Sequence, residues 1–394
     1  MEQFGVEAKR MQNAPLSKIR EIIDYAEQLE KQGKEIIHLE IGEPDFDTPQ
    51  NIIEAAKMAL EEKKVHYGPV TGIASLRESI VKDFKKKYQV EYELGEVLIT
   101  HGVAHGIFLA LMAYLDPGDE ILVPSPGYLC YFTVPNIAGA KAVEYPLTQV
   151  NQYQISIAEI EPLITDKTKA ILLNSPLNPS GMILNRKSLE NVLQLAEKYD
   201  LLIISDEIYA EMTYENKKFY SMASLPGAKK RTIILNGFSK YYAMTGWRIG
   251  YILCDKSLMD PLMRLSFYSI SCPNTFVQYA AQTALDEDDW ESKQMLYEYE
   301  KRRNYLVQAL NELPNCHCTM PDGAFYVFLN IKKTGMSSEY FCKYMLEKVG
   351  VAIIPGCVFG KNGEGFVRIS YSNSLENLKK ATNLMYNALN EYLK

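Results

Sequence analysis

The sequence has no excess of basic residues. Its 42 lysines and arginines against 49 acids give a formal net charge of −7. That balance argues against nucleic-acid binding as the main business of the chain. No apolar run approaches the ~20 residues of a membrane-spanning helix. Met1 to Arg10 is mixed and charged and lacks the apolar core of a secretion signal. The seven cysteines are odd in number and scattered, which fits reduced thiols and a cytoplasmic protein. Their one cluster, Cys316-His317-Cys318, lacks a second ligand pair at zinc-site spacing, so no metal site is expected. No G-x-G-x-x-G follows an early strand, which removes the common dinucleotide fingerprint. No internal repeat points to a solenoid or array.

What is present is a chain of 394 residues, 47% apolar and 23% charged, long enough for two domains. Residues 1–15 read as an extended arm. Ile19, Ile22, Ile23, Ala26 and Leu29 then follow helical spacing. Ile36 to Ile41 reads as a strand entering the turn-rich Gly42-Glu43-Pro44-Asp45-Phe46. From Val97 to Leu253, short runs of isoleucine, leucine and valine alternate with helical segments. Strands apolar on both faces imply a mostly parallel sheet covered by helices on both sides. Such sheets bind ligands at the carboxyl ends of their strands. Gly102, Tyr128, Asn178, Asp206 and Lys240 all stand at those ends. Beyond about residue 285, a long charged helix from Trp290 to Leu313 and strands near 324–330, 351–354 and 366–371 suggest a smaller α+β domain.

The chemistry concentrates in four stretches. In Ser239-Lys240-Tyr241-Tyr242-Ala243-Met244-Thr245-Gly246-Trp247-Arg248-Ile249-Gly250, a lysine among aromatics precedes an arginine by eight residues. An amine kept from water has a lowered pKa and can attack a carbonyl. An arginine can grip a phosphate through paired N–H groups. An aldehyde plus a phosphate describes pyridoxal 5′-phosphate (PLP). The loop Asn174–Gly181 follows a buried strand and holds Asn178 between prolines, ready to offer an amide to a ligand oxygen. Asp206 ends an apolar strand, where a buried carboxylate needs a partner. A protonated pyridine nitrogen is such a partner. Arg368 sits within the apolar run Phe366-Val367-Arg368-Ile369-Ser370, a placement suited to a bound carboxylate. Each has a plain structural alternative: a surface lysine, a Pro/Asn turn, a helix N-cap and an edge-strand arginine.

Together, and in this order, these stretches resemble the class I/II aminotransferases, the aspartate-aminotransferase-like PLP enzymes of fold type I. The resemblance runs from Gly42-Glu43-Pro44-Asp45-Phe46 to Arg368. It implies a large PLP-binding domain over 46–285, a small C-terminal domain over 286–394, and an arm with part of the small domain over 1–45. Lys240 matches the lysine that joins the cofactor as a Schiff base and later moves the proton. Asp206 matches the partner of the pyridine nitrogen, and Asn178 and Tyr209 the pair on the ring hydroxyl. Arg248 and the N–H groups of Val103 and Ala104 match phosphate ligands, and Tyr128 matches the stacking aromatic residue. Gly237 stands where many relatives carry a phosphate-binding serine, a role Ser239 is placed to fill. Arg368 and Gly42 match the contacts to the substrate α-carboxylate.

Tyr67 matches a tyrosine that reaches the neighbouring subunit's phosphate, which implies a homodimer with shared sites. Ala104 and Leu16 stand near positions that hold a second carboxylate in relatives with acidic substrates. The expected reaction is therefore transfer of an amino group between an L-amino acid and a 2-oxo acid, on neutral or hydrophobic donors. The same scaffold also hosts lyases and cyclases of the β-elimination type, the competing expectation.

Overall fold

The computed structural model describes residues 7–14 and 18–394. In chain order its strands are β1 (Ile37–His38), β2 (Val97–Thr100), β3 (Glu120–Ser125), β4 (Lys141–Pro146), β5 (Thr168–Asn174) and β6 (Leu202–Asp206). They continue with β7 (Thr232–Gly237), β8 (Gly250–Leu253), β9 (Tyr326–Asn330), β10 (Val351–Ala352), β11 (Ile354–Pro355) and β12 (Phe366–Ser370). The first four helices are α1 (Lys18–Lys31), α2 (Gln50–Glu61), α3 (Ala74–Tyr88) and α4 (Gly102–Tyr114).

Seven strands form the central sheet in the order β2-β8-β7-β6-β5-β3-β4. Side chains alternate across a strand, so a run apolar at every position feeds two cores. Ile171 and Leu173 of β5 enter one buried cluster, while Ala170 and Leu172 enter the other. The two clusters lie on opposite faces of the sheet, which is why it is covered on both sides. Leu172 is fully buried, and its replacement by alanine costs about 2–5 kcal/mol on general grounds.

The pairs from β7 through β6, β5 and β3 to β4 are parallel. Strand β8 alone runs antiparallel to both neighbours, β2 and β7. That reversal positions the site. Parallel strands deliver Thr100, Asn174, Asp206 and Gly237 to one edge of the sheet. The reversed β8 brings its beginning, Gly250, to the same edge, opposite Thr100 and Gly237. Glycine is required there: a Cβ on Gly250 would sit 2.9 Å from the Gly102 carbonyl carbon and 3.0 Å from Val103 N.

Outside this sheet, β11-β12-β9 form a three-stranded antiparallel sheet, and β1 pairs in parallel with β10. The long helix is Trp290–Asn311. Two expectations change. The arm is not extended throughout, because Lys9–Asn13 forms a 3₁₀ helix. The strand expected over 36–41 is only Ile37–His38. Beyond it the Leu39 carbonyl accepts from Ser370 N at 2.8 Å and the Glu40 carbonyl from Arg368 Nη2 at 2.6 Å, so the backbone turns from β10 to β12.

Candidate active site

A cavity of about 550 Å³ opens at the carboxyl edge of the central sheet. Lys240, Asp206, Asn178, Tyr209, Ser239, Arg248, Tyr128, Val103, Ala104, Gly42 and Arg368 all line it. They come from stretches up to 326 positions apart, gathered by the parallel strands and the reversed β8. Tyr67 does not join them. It is 90% exposed on this chain's own surface. Leu16 lies outside the described residues.

Lys240 projects from the turn after β7, and its Nζ donates to the Gly42 carbonyl at 2.6 Å. The amine lies 5.9 Å from the Tyr209 ring centroid and 5.8 Å from that of Phe325. Burial pulls its pKa down to about 8, helped by the positive charges of Arg368 and Arg248 and opposed by Glu43 and Asp206. Lys240 is thus an amine with a real neutral fraction near neutral pH.

Asp206 is buried at the end of β6. Its Oδ2 accepts from the Tyr131 hydroxyl at 2.7 Å, and its Oδ1 from Ile208 N at 3.2 Å. Burial raises its pKa to about 6, while Tyr131, Ile208 and Lys240 pull the other way. Among the described residues no cation pairs with this carboxylate within 4 Å. A buried carboxylate held only by neutral donors suits a ligand that brings a cationic N–H.

Arg368 shows the converse. It is 3% exposed on β12, and no carboxylate among the described residues pairs with it within 4 Å. Nη2 donates to the Glu40 carbonyl and Nη1 to Asn178 Oδ1 at 3.2 Å. Its Nε is buried with no acceptor. The guanidinium lies over the rings of Tyr326 and Phe359, 4.5 and 5.2 Å from their centroids. Buried polar groups are almost always partnered, so this arrangement calls for an anionic ligand.

Gly42 must be glycine. A Cβ there would lie 2.8 Å from the Tyr326 hydroxyl. That hydroxyl is 2.9 Å from the Tyr209 hydroxyl, and burial raises the pKa of both phenols. Both remain protonated donors at neutral pH.

At the other end of the cavity, α4 begins directly after β2 through Gly102, whose φ is +73°. The N-cap residue His101 makes no side-chain cap, and the first-turn N–H groups have no acceptor within the helix. Arg248 Nη1 donates to the Thr245 carbonyl at 2.9 Å, and a Cβ on Gly102 would sit 2.8 Å from Arg248 Nη2. A helix N-terminus beside a guanidinium is suited to a phosphate. The donor set as a whole therefore fits PLP: an amine for the aldehyde, an unpaired carboxylate for the ring N–H and an anion cup for the phosphate.

Sequence reasoning missed two residues of this site. Tyr131 lies three positions after Tyr128, one turn along the helix Cys130–Ala138, but nothing local marks its bond to Asp206. Tyr326 sits in an apolar strand where a tyrosine is unremarked.

The chain matches known proteins closely. The family profile described as aminotransferase class I and II matches residues 34–383. An aspartate aminotransferase of Pyrococcus abyssi is 42% identical, covering 95% of this chain and 96% of its own. An aromatic-amino-acid aminotransferase of Thermococcus litoralis is also 42% identical, covering 97% and 98%. Among solved structures, the aspartate aminotransferase from Rhizobium meliloti superposes with a TM-score of 0.94 at 32% identity, covering 98% of each chain.

Proposed function

The chain belongs to the class I and II aminotransferases, and from that premise we propose that it binds PLP at Lys240 and transfers amino groups from neutral or hydrophobic L-amino acids to 2-oxo acids. It is a transaminase of fold type I, and the lyase alternative is not favoured by relatives named as aminotransferases. The observation that carries the site assignment is the pairing of opposites in one cavity. Among the described residues Arg368 is a buried cation without an anion, and Asp206 is a buried carboxylate without a cation.

When bound, PLP supplies an aldehyde that condenses with amines and a ring that accepts the electron pair left at the α-carbon. The chain's own residues do the rest. Asp206 receives the ring N–H and keeps it protonated. Asn178 and Tyr209 donate to the ring hydroxyl oxygen. Arg248, Ser239 and the N–H groups of Val103 and Ala104 hold the phosphate, and Tyr128 covers the ring face. Arg368 fixes the substrate α-carboxylate through N–H groups that include its unpartnered Nε, with Gly42 beside it.

Lys240 Nζ removes and returns the α-proton as general base and acid. A pKa near 8 leaves roughly a tenth of the amine neutral at pH 7, where an ordinary lysine would have less than a thousandth. Donor preference rests on the cavity walls: Ile19, Ile23, Ile107, Leu129 and Ile208 are apolar, and Ala104 offers no charge.

Two further assignments belong to the same proposal. The 46–285 segment forms the cofactor-binding domain, and 1–45 joins 286–394 in the smaller one; pairing of β1 with β10 supports this division. The active form is a homodimer, supported by Tyr67, Tyr268 and Phe267, whose large side chains are left exposed on one chain. The test is a single-turnover reaction of PLP-reconstituted protein with a panel of amino acids. Transamination leaves pyridoxamine phosphate on the enzyme and one 2-oxo acid in solution. Release of ammonia without pyridoxamine phosphate would sink the reading.

A further inference from the structure

The site for the α-carboxylate joins two distant stretches, Arg368 on β12 and Gly42 in the turn after β1. Gly42 has no side chain to anchor it, and its carbonyl is held by Lys240 Nζ, a moving part of the reaction. Its place beside Arg368 therefore depends on the backbone to either side. Upstream, the Leu39 and Glu40 carbonyls accept from Ser370 N and Arg368 Nη2 of β12. Downstream, the Glu43 carbonyl accepts from the hydroxyl of Ser372, just past the end of β12.

A buried polar cluster stands behind that second tie. The Tyr299 hydroxyl lies 3.1 Å from Ser372 Oγ, donates to Asp45 Oδ1 at 3.1 Å and accepts from Asp45 N at 3.3 Å. Arg302 Nη1 donates to both Asp45 oxygens at 2.8 Å, and its guanidinium lies over the rings of Phe46 and Tyr299. Tyr299 and Arg302 are buried on one face of the long helix, while the Asp45 side chain is 29% exposed. Thr245 bonds only the Glu43 side chain and leaves the backbone to this cluster. Asp45, Tyr299, Arg302 and Ser372 do not line the cavity, so they reach the substrate only through the turn.

We propose that Asp45, Tyr299 and Arg302 are positioning residues that clamp the turn 42–46 to the end of β12 and so hold Gly42 beside Arg368 for the substrate α-carboxylate. A carboxylate that accepts from a guanidinium and a hydroxyl makes charge-assisted bonds, stronger than those of a neutral turn. Asparagine in its place would aim an N–H group at Arg302 and lose an acceptor. This rests on the transaminase reading above.

The test compares holoenzyme with Asp45→Asn and Tyr299→Phe, the second a variant that keeps the buried ring. Calorimetric titration with the unreactive acid 3-phenylpropionate should give a Kd about tenfold higher in each variant, the scale of one hydrogen bond to a charged group. The KM for an amino acid should rise with it while kcat and PLP affinity hold, because the α-carboxylate is bound alike before and during reaction. A lower kcat with unchanged Kd and KM would mean a smaller folded fraction and a purely structural role, and overturns the proposal. Equal weakening of PLP and 3-phenylpropionate overturns it too. Should Asp45→Asn fail to fold, Tyr299→Phe decides by the same measurements. Arg368→Met separates this proposal from the reading beneath it. If that variant binds 3-phenylpropionate as the wild type does, the α-carboxylate assignment falls and this proposal with it. If Arg368→Met weakens binding and Tyr299→Phe does not, this proposal falls alone.

Discussion

Tyr131 donates its hydroxyl hydrogen to Oδ2 of Asp206 at 2.7 Å, across 75 positions of sequence. This bond opposes the burial that raises the Asp206 pKa to about 6. A cationic ring N–H needs the carboxylate ionised, so PLP binding to the cofactor-free protein should weaken as pH drops through that region. Tyr131→Phe removes a cause that lowers the pKa, so the acid limb of the PLP-affinity profile should move to higher pH. PLP affinity should weaken by about tenfold or more, the scale of one hydrogen bond to a charged group. An acid limb that stays in place would show that Asp206 does not depend on Tyr131.

Among the described residues Arg368 has no carboxylate to pair with. Its replacement should therefore cost substrate binding without costing the fold. Arg368→Met is expected to lower kcat/KM for amino acids by about 100-fold or more, a few kcal/mol of lost charged contact. Its Tm should hold or rise, because an unpaired buried cation is removed. Steady-state kinetics and a thermal melt on one preparation check both halves.

The same substitution reaches Lys240. Arg368 is the second cause, after burial, of the depressed amine pKa. In cofactor-free protein, the pH profile of Lys240 acylation should have its midpoint near 8 and move upward in Arg368→Met. A wild-type midpoint near 10.5 would mean that the amine is solvated.

His38 Nδ1 lies 2.6 Å from Oε1 of the buried Glu40, whose carbonyl holds Arg368. The hydrogen bond to Glu40 is the main cause of a His38 pKa raised to about 9, with Glu30 adding to it and burial opposing. A raised pKa stabilises the fold fully below the unfolded value near 6.5, and that stabilisation is lost as pH rises to 9. Stability should therefore decline by roughly 2–3 kcal/mol over that interval. His38→Gln should flatten the decline, as read from denaturant midpoints at pH 6 and 9.5.

Gly102 has a positive φ, and a Cβ there would press on Arg248 Nη2 at 2.8 Å. Gly102→Ala should therefore displace the anion cup. PLP affinity is expected to fall by about tenfold or more, while the phosphate-free analogue pyridoxal is affected less. Equal losses for the two ligands would place the damage elsewhere.

Much of this site was legible because its parts lie in short stretches that follow a buried strand or, for Arg368, lie within one. Asn178, Asp206, Lys240 and Arg368 could be read for chemistry before any contact was known. The reversal of β8 could not, because the run from Ile249 to Leu253 is as apolar as the neighbouring strands it opposes. The brevity of β1 was hidden for a related reason: Ile36 to Ile41 has strand composition, and the distant Ser370 and Arg368 take the Leu39 and Glu40 carbonyls. Tyr131 and Tyr326 were unreadable among 27 tyrosines, since their roles lie in partners 75 and 117 positions away.

The central claim is that Lys240 is the covalent anchor of PLP. The most direct test is to reconstitute the protein with PLP, reduce it with borohydride, digest it and locate the added mass. The account predicts one pyridoxyl-phosphate group per chain, on Lys240. A label on another lysine, or none on Lys240 at full cofactor occupancy, would contradict it.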